Sequence, residues 1–405
     1  MKIAIITSGF LPVPASKGGA VESLLDNIII KNEEYKGIKL EVFSIYDEKA
    51  LELSKSYTST NFNFIKTNSI VNIIDKFIYF IFKEVLKKDH VMSYRYIVQR
   101  LYFLNKVSKE LKKNNYDKVF IENHPTLFLA LKWRKNNLKY KNRYYYHLHN
   151  ESSKFYGCAK IIKESKNILC VSNFIKNRLL EELNLPDDRN LSVLKNCIDI
   201  NKFSGTINEI EKIELRSKYS ISKNDRVIIF AGRLTREKGI KELLLALNSI
   251  EDNNLKLIIV GSFFFDTNIK NEFMEEIGEL INKLGDRVVF TGYINYADMP
   301  KIYSIADIAV LPSVDVDAAP LTIIEAMASR LPIITTNSGG IPEYAQNGCA
   351  IIHQIDKNLI SNLSKSIVKL LNDKEMRENM SKIGRENAEK LTLDEFYKNF
   401  LREIS

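Results

Sequence analysis

Short runs of aliphatic and β-branched residues alternate along the whole chain with segments of helical periodicity. This alternation is typical of parallel βαβ units, in which strands buried on both faces are joined by crossover helices. We therefore expect an α/β protein. The runs predict thirteen strands: Lys2–Thr7, Ile38–Ile45, Phe62–Lys66, Lys118–Glu122, Arg143–His149, Ile168–Ser172, Leu191–Lys195, Arg226–Ala231, Leu255–Val260, Arg287–Thr291, Ile308–Pro312, Ile333–Thr336 and Ala350–His353.

A polar stretch separates these strands into two sets. Residues 196–223 lose the strand rhythm, and the chain of 405 residues is longer than one hydrophobic core usually serves. We expect two doubly wound, Rossmann-like domains at 1–196 and 197–385, and a C-terminal helix at 386–405 that crosses back to the first. Two such domains facing each other leave a cleft at the carboxyl ends of their strands, where ligands bind.

The chain carries an excess of positive charge. A formal net charge of +9 favours an anionic partner such as nucleic acid, a phosphorylated small molecule or a membrane surface. No helix-turn-helix, RNP-like or zinc pattern accompanies the charge, so we expect no nucleic-acid partner.

Four cysteines lie far apart without CxxC spacing, which predicts buried thiols in a reducing compartment rather than a metal site. The opening MKIAIITSGF lacks the features of a signal peptide, and no apolar run approaches the ~20 residues of a membrane span. We expect a cytoplasmic protein.

The stretch FAGRLTREKG at 230–239 predicts a site for phosphate. A buried strand runs into a glycine, then Arg233, and then a helix whose first turn carries Lys238. Two cations beside the positive end of a helix dipole are suited to bind a diphosphate. The alternative is an ordinary βα turn with solvated charges.

An acidic loop and a helix follow the strand at 308–312. Asp315 and Asp317 precede Ala-Ala-Pro, and a helix expected from about Leu321 carries Glu325. Backbone N–H groups at 319–321 would lie at the helix N-terminus, while the carboxylates could accept hydrogen bonds from sugar hydroxyls. Alternatively Asp317 lies at a helix N-cap and Glu325 is a solvated residue, although the apolar neighbours of Glu325 argue against exposure.

These pieces, in this order, resemble a retaining GT-B glycosyltransferase of family 4, the glycosyl transferases group 1. The resemblance covers nearly the full length and includes VSNFIKNRL at 171, VLKNCIDINKF at 193, TGYINYADMPKIYSIADIAVLPS at 291 and SGGIPEYAQNGCAII at 338. It implies transfer of a sugar from a nucleoside-diphosphate sugar, with retention of anomeric configuration and without a metal or other cofactor.

The resemblance also implies roles for individual residues. Arg233 and Lys238 would hold the donor diphosphate, and Glu325 the ribose. The first acid of the family's Glu-x7-Glu pair falls on Asp317, whose shorter side chain reaches less far, so Asp315 could share its role. Cys197 stands where the family usually has glycine. The remaining residues expected to bind the donor are Gly18, Gly19, Tyr293, Ile294, Ala319, Pro320 and Leu321.

Histidines in the first half are further candidates. His149, at the end of the strand in HLHNES, matches the family histidine that faces the transferred sugar, although His147 or His149 could be a packed core residue. His124, Asn150 and Glu151 are candidates for the acceptor side. A structural role is the simpler interpretation for His124.

Residues 70–88 have apolar side chains at helical spacing, flanked by lysines, and the segment up to 103 is basic and aromatic. Such a segment could lie on an anionic bilayer and bring the enzyme to a lipid-linked acceptor. The alternative is that it packs on the first sheet.

The function expected from the sequence is transfer from a UDP-sugar to a glycan or lipid-linked acceptor in bacterial surface polysaccharide or glycolipid synthesis. Two rivals share the architecture. A nucleotide-sugar epimerase would need no acceptor, and a non-catalytic binding subunit would be expected to have lost the diphosphate-binding charges that are retained here.

Overall fold

A computed structural model describes residues 1–82, 96–204, 207–261, 272–292 and 294–405. The chain divides into two compact units, one of Met1–Lys195 with Leu393–Ser405 and one of Asn196–Thr392. The first boundary falls one residue before that expected from the sequence. The last begins at Leu393 rather than at 386, because the preceding helix runs to Ala388 within the second unit.

The first unit is built on a seven-stranded parallel sheet of order β3-β2-β1-β4-β5-β6-β7. Its strands are β1 Lys2–Ile6, β2 Lys39–Ile45, β3 Thr60–Ile65, β4 Lys118–Glu122, β5 Tyr144–Leu148, β6 Asn167–Cys170 and β7 Leu191–Val193. Its helices are α1 Ala20–Tyr35, α2 Glu48–Ser54, α3 Ser69–Phe80, α4 Ile97–Lys113, α5 Leu129–Lys132, α6 Asn136–Lys139, α7 Ala159–Lys163 and α8 Asn173–Leu183.

The second unit contains a six-stranded parallel sheet of order β10-β9-β8-β11-β12-β13. Its strands are β8 Arg226–Ala231, β9 Leu255–Val260, β10 Val288–Gly292, β11 Ile308–Leu311, β12 Ile333–Thr336 and β13 Ala350–His353. Its helices are α9 Ile200–Ser204, α10 Glu209–Lys218, α11 Ile240–Asn248, α12 Glu272–Leu284, α13 Met299–Ser304, α14 Leu321–Ala328, α15 Ile341–Tyr344, α16 Leu359–Asn372 and α17 Lys374–Ala388.

Each predicted strand has a counterpart, with ends that differ by no more than two residues. The agreement has a simple cause: runs such as VIIF in β8 and LIIV in β9 are buried on both faces, so they are continuously apolar. The four cysteines are buried, as expected.

Each sheet has one point at which the strand order reverses. In the first sheet β1 pairs with β4, and in the second β8 pairs with β11 through Ile228↔Ile308 and Ile229↔Ala309. Loops diverge at such a point, so the carboxyl ends of the two central strands border a crevice suited to ligands. Residues that follow β8 and β11 therefore lie close together, at the carboxyl ends of the central strands of the second sheet.

The last helix, α18 Leu393–Ile404, returns to the first unit and packs on α1. The Tyr397 hydroxyl donates to Asn32 Oδ1 at 2.8 Å, and Lys31 pairs with Asp394 at 3.0 Å. Phe400 meets Phe120 of β4 edge to face, with ring centroids 5.1 Å apart. Because buried and charged contacts both hold it there, α18 is an integral part of the first unit.

Candidate functional site

An ion pair joins the two central loops of the second unit. Lys238, after β8, contacts the carboxylate of Asp317, after β11, and the Ser313 hydroxyl donates to the same carboxylate oxygen at 3.0 Å. Both charged side chains are largely buried, with 24% and 11% of their surfaces exposed. Two of the residues selected from the sequence, 79 positions apart, are therefore direct neighbours.

Backbone contacts hold these loops together. The Val314 N–H donates to the Glu237 carbonyl at 2.9 Å, and the Asp317 N–H donates to the Ser338 hydroxyl at 3.1 Å. Gly339, with φ of +52°, lies so close that a Cβ would approach the Asp317 carbonyl oxygen to 2.3 Å. Ser313, Ser338 and Gly339 were not selected from the sequence, although Ser338 and Gly339 open the SGG motif that supported the resemblance.

Arg233 lies near Lys238 but is more exposed. It follows Gly232 at the end of β8, and its carbonyl accepts from the Thr235 N–H at 3.0 Å. The neighbouring Thr235 lowers the pKa of Glu237, and the charges of Arg233 and Lys238 lower it further. Both cations therefore exert their charge on the same small region, as a binding site for a diphosphate requires.

Glu325 is buried among hydroxyl groups instead of lying free on its helix. Only 5% of its surface is exposed, and the Tyr303 hydroxyl donates to its Oε2 at 2.9 Å. Tyr296 provides a second hydrogen bond. Burial raises the pKa of Glu325 to about 7, against the hydrogen bonds from the two tyrosines. The prediction that this carboxylate is not a solvated residue is confirmed, whereas its tyrosine partners were not foreseen.

Helix α14 begins at Leu321, where it was expected. Pro320 precedes it and has neither a side-chain oxygen nor an N–H, so it cannot cap the first turn. The buried side-chain amide of Asn196 donates to the Ala319 carbonyl at 2.9 Å, and the backbone N–H of Asn196 donates to the Tyr344 hydroxyl at 2.9 Å. Asn196 therefore positions the loop before α14, a role that the sequence did not indicate.

Ile294 is partly buried in the loop after β10. Tyr293, the other donor-binding candidate in this loop, lies outside the described residues.

The glycine pair of the first unit lies directly before α1. Gly18 and Gly19 have φ of +72° and +107°, and a Cβ on Gly19 would approach Glu22 Oε2 to 2.3 Å. Burial raises the pKa of Glu22, which accepts a hydrogen bond from the Ser8 hydroxyl at 2.8 Å. The positive φ of Gly19 is a backbone conformation that favours glycine.

His149 belongs to a buried cluster with Glu122 and His147. Its Nε2 lies 3.1 Å from Glu122 Oε2 and 3.1 Å from His147 Nδ1. Burial and His147 lower the pKa of His149 to about 4, although Glu122 opposes the change. Burial would raise the pKa of Glu122, but the two histidines lower it to about 2. Both histidines lie on one side of the sheet, as strand alternation predicts, and both are core residues.

His124 has a local structural role. Its Nδ1 accepts from the Thr126 N–H at 3.2 Å, so the ring caps the turn at Pro125–Phe128. Burial, with a smaller effect of Arg100, lowers the pKa of His124 to about 4. These contacts support the structural interpretation, which was the simpler one from the sequence.

A polar cavity of 370 Å³ lies beyond β5. Exposed Asn150 precedes it, and Glu151 lines it together with Ser152, Ser153 and Arg178. Glu151 Oε1 accepts from Arg178 Nε at 2.6 Å. The cavity therefore presents hydroxyl and charged groups that can bind a hydroxylated ligand.

Helix α3 presents apolar side chains outward. Ile70, Ile73 and Phe77 are 65%, 65% and 62% exposed, whereas Val71 and Asp75 are the buried residues of the helix. Asp75 accepts from the Val98 and Gln99 N–H groups, both at 2.8 Å. No described residue covers the apolar stripe. The expected segment 70–103 includes residues 83–95, which lie outside the described residues.

Among the described residues, no helix has both the length and the apolar character to span a bilayer.

The chain is similar in sequence and in fold to known proteins. Residues 211–387 match the family described as Glycosyl transferases group 1. Spore coat protein SA of Bacillus subtilis is 27% identical over 404 residues, which cover 96% of this chain and 95% of that protein. The capsular polysaccharide biosynthesis glycosyltransferase CapM of Staphylococcus aureus is 27% identical over 253 residues, 58% of this chain and 62% of that protein. The crystal structure of Anabaena Alr3699/HepE in complex with UDP-glucose is similar with a TM-score of 0.74, at 17% identity over 99% of this chain and 98% of that one.

Proposed function

We propose that this glycosyltransferase with the GT-B fold, whose residues 211–387 match the Glycosyl transferases group 1, transfers a sugar from a UDP-sugar. The acceptor in this proposal is a growing glycan or a lipid-linked saccharide of a bacterial surface polysaccharide. The reaction retains the anomeric configuration and uses no metal at the donor phosphates.

The contact between Lys238 and Asp317 carries this proposal. It lies between the loops after β8 and β11, where a doubly wound sheet binds ligands. A departing nucleoside diphosphate needs positive charge, and the hydroxyls of the transferred sugar need acceptors. Lys238 and Arg233 supply the charge and Asp317 the acceptor, so the diphosphate and the transferred sugar would each lie beside a group suited to bind it. Fixed charges of this kind stabilise a transition state effectively because they need little rearrangement.

Glu325 is assigned to the ribose. Its carboxylate already accepts hydrogen bonds from tyrosine hydroxyls, which are chemically similar to a sugar hydroxyl. Tyr303 is fully buried while Tyr296 is 45% exposed, so Tyr296 is the partner that a ribose would replace. The complex of the Anabaena protein with UDP-glucose supports uracil as the base of the donor.

Two further features of the first unit are assigned to the acceptor and to a membrane surface. The 370 Å³ cavity lined by Ser152, Ser153 and Glu151 is assigned to an acceptor sugar. The exposed stripe of Ile70, Ile73 and Phe77 is assigned to the interface of an anionic bilayer, since the chain has a net charge of +9. CapM, named for capsular polysaccharide biosynthesis, supports a glycan acceptor.

Donor turnover without an acceptor tests the proposal. The purified protein is incubated with UDP-, GDP- and ADP-sugars, and release of the nucleoside diphosphate is measured with and without added Mg²⁺. We expect slow release from one UDP-sugar at a rate independent of Mg²⁺, with the freed sugar first appearing, by NMR, in the anomeric configuration of the donor. Release from a GDP-sugar alone would contradict the assignment of a UDP-sugar as the donor. Interconversion of UDP-sugars without release of the nucleoside diphosphate would indicate an epimerase.

A further inference from the structure

Three buried side chains converge where β4 and β5 end. Glu122 is the last residue of β4 and is paired in the sheet with His147 of β5, and His149 lies two residues further along on the same side. Glu122 and His147 are each 1% exposed and His149 is 6% exposed. The donor loops of the second unit do not include any of the three.

The three facing atoms form a nearly equilateral triangle. His149 Nε2 lies 3.1 Å from both Glu122 Oε2 and His147 Nδ1, and the third side, from His147 Nδ1 to Glu122 Oε2, measures 3.3 Å. Each of these atoms carries a lone pair that can bind a cation when the atom holds no hydrogen.

Hydrogen atoms alone cannot satisfy this triangle. An ionised carboxylate brings none, and each ring nitrogen holds at most one, so no more than two hydrogens are available for three contacts. At least one pair of electron-rich atoms therefore meets without a hydrogen between them in a buried environment, where such a contact is costly. Within the described part of the chain, Glu122 Oε1 and His147 Nε2 are also buried without a hydrogen-bond partner.

We propose that Glu122, His147 and His149 bind one divalent transition-metal ion, with Zn²⁺ as the best fit. Two imidazoles and a carboxylate are a ligand set that zinc commonly takes, with a water molecule in a fourth position. Bonds of roughly 2.0–2.1 Å in a tetrahedral arrangement separate the ligand atoms by about 3.3–3.4 Å, close to the 3.1–3.3 Å sides of this triangle. One cation would replace the unsatisfied contacts with three favourable ones.

The ion has a structural role in this proposal. It would tie the end of β4 to the end of β5 and hold the His149 ring by Nε2, which would leave only Nδ1 for any contact with a sugar. A metal ion at this place differs from the sequence expectation that the chain holds no metal. The ion would not contact the donor phosphates, so its presence is independent of the proposed reaction.

Metal analysis of the purified full-length protein provides the first test. Chelator-treated protein is titrated with Zn²⁺ and, separately, with Co²⁺, whose visible absorption reports tetrahedral coordination. We expect about one equivalent of either ion to bind, an intense visible band with Co²⁺, and a higher melting temperature with Zn²⁺. Absence of binding and of the band in the folded wild-type protein would overturn the proposal, whatever the variants do.

Matched variants then assign the ligands. His147→Gln and Glu122→Gln should lose the cobalt band and weaken zinc binding by at least about tenfold. The control is His353→Gln, because His353 contacts Ser366 at 3.0 Å in the second unit and should leave binding unchanged. A cobalt band that persists unchanged in both ligand variants would overturn the assignment, and wild-type binding decides the matter if either variant fails to fold.

Discussion

Lys238 and Asp317 are in direct contact although they follow different strands and lie 79 residues apart. The parallel pairing of β8 with β11 explains the contact, because it places the carboxyl ends of the two strands side by side. At the reversal of strand order, the cation is suited to bind the diphosphate leaving group of a nucleotide sugar. The carboxylate is suited to bind hydroxyls of the transferred sugar.

Replacement of Lys238 should reduce donor turnover strongly. Lys238→Ala removes a charge that faces the departing diphosphate, and the loss of one such group usually costs about 100-fold to 1,000-fold in rate. Asp317→Ala should give a comparable loss. The double variant should be little worse than either single one, because residues that act as a unit are not additive. Nucleoside diphosphate release measures all three effects.

Lys241→Ala is the matched control for this prediction. Lys241 lies in α11, three residues further on, and pairs with Glu276. Its replacement should leave turnover near the wild-type rate. Near-normal turnover in Lys238→Ala, or an equal loss in Lys241→Ala, would contradict the assignment of Lys238 to the leaving group.

Gly239→Ala should destabilise the second unit. Gly239 has φ of +70°, and a Cβ there would approach the Pro312 carbonyl oxygen to 1.9 Å. Backbone strain and the collision together should cost at least about 2 kcal/mol in the free energy of unfolding. Thermal or denaturant unfolding followed by circular dichroism provides the measurement.

Gly278→Ala should have the opposite effect. Gly278 lies within α12 and has open space where a Cβ would be placed. Alanine favours a helix over glycine by about 0.5–1 kcal/mol, so this variant should be more stable than the wild type. Equal stability of the two alanine variants would show that the turn after β8 tolerates a side chain.

Charges on the outer face of α3 should weaken membrane binding. Wild-type protein should co-sediment with anionic liposomes at low salt, and Ile73→Glu combined with Phe77→Glu should weaken binding by at least about tenfold, since each buried apolar side chain contributes about 1.5–3 kcal/mol. Ile210→Glu with Ile213→Glu is the control, because these residues are 70% and 58% exposed in the second unit. Absence of wild-type co-sedimentation, or equal losses in both pairs, would contradict the proposal.

Glu325→Gln should change how stability depends on pH. Burial raises the pKa of Glu325 from 4.5 to about 7, so between these values the unfolded chain releases a proton that the folded protein keeps. Stability of the wild type is therefore lost as pH rises through this window, by about 3 kcal/mol from this group. The stability of Glu325→Gln relative to the wild type should rise from pH 4.5 to pH 7 and then level off.

Glu237→Gln should change the pH dependence of stability in the opposite direction. The pKa of Glu237 is lowered by Thr235 and the neighbouring cations, so its contribution is present above the unfolded pKa and lost as pH falls. Melting temperatures of wild type and both variants across pH measure the two trends. A flat difference between Glu325→Gln and the wild type would contradict the buried, proton-binding carboxylate.

The sequence predicted the frame of the fold more completely than the site. Strands such as β8 and β9 are recognisable because continuous apolar runs report burial on both faces, a property of each segment alone. The loops with Lys238 and Asp317 could be located because each directly follows one of these recognisable strands. Neither the tyrosines around Glu325 nor the Asn196 contact with Ala319 could be foreseen, since each joins distant segments.

The chain by itself determined its α/β class, its strands and the two charged loops, because periodicity and turn residues act over a few positions. Tertiary structure alone decided which groups meet: Lys238 with Asp317, Tyr303 with Glu325, and Glu122 with His147 and His149. It also decided that α3 turns Asp75 inward and Ile73 outward, against the usual amphipathic arrangement. The physical reason is that strand order and backbone contacts between loops, rather than local preference, set which side chains become neighbours.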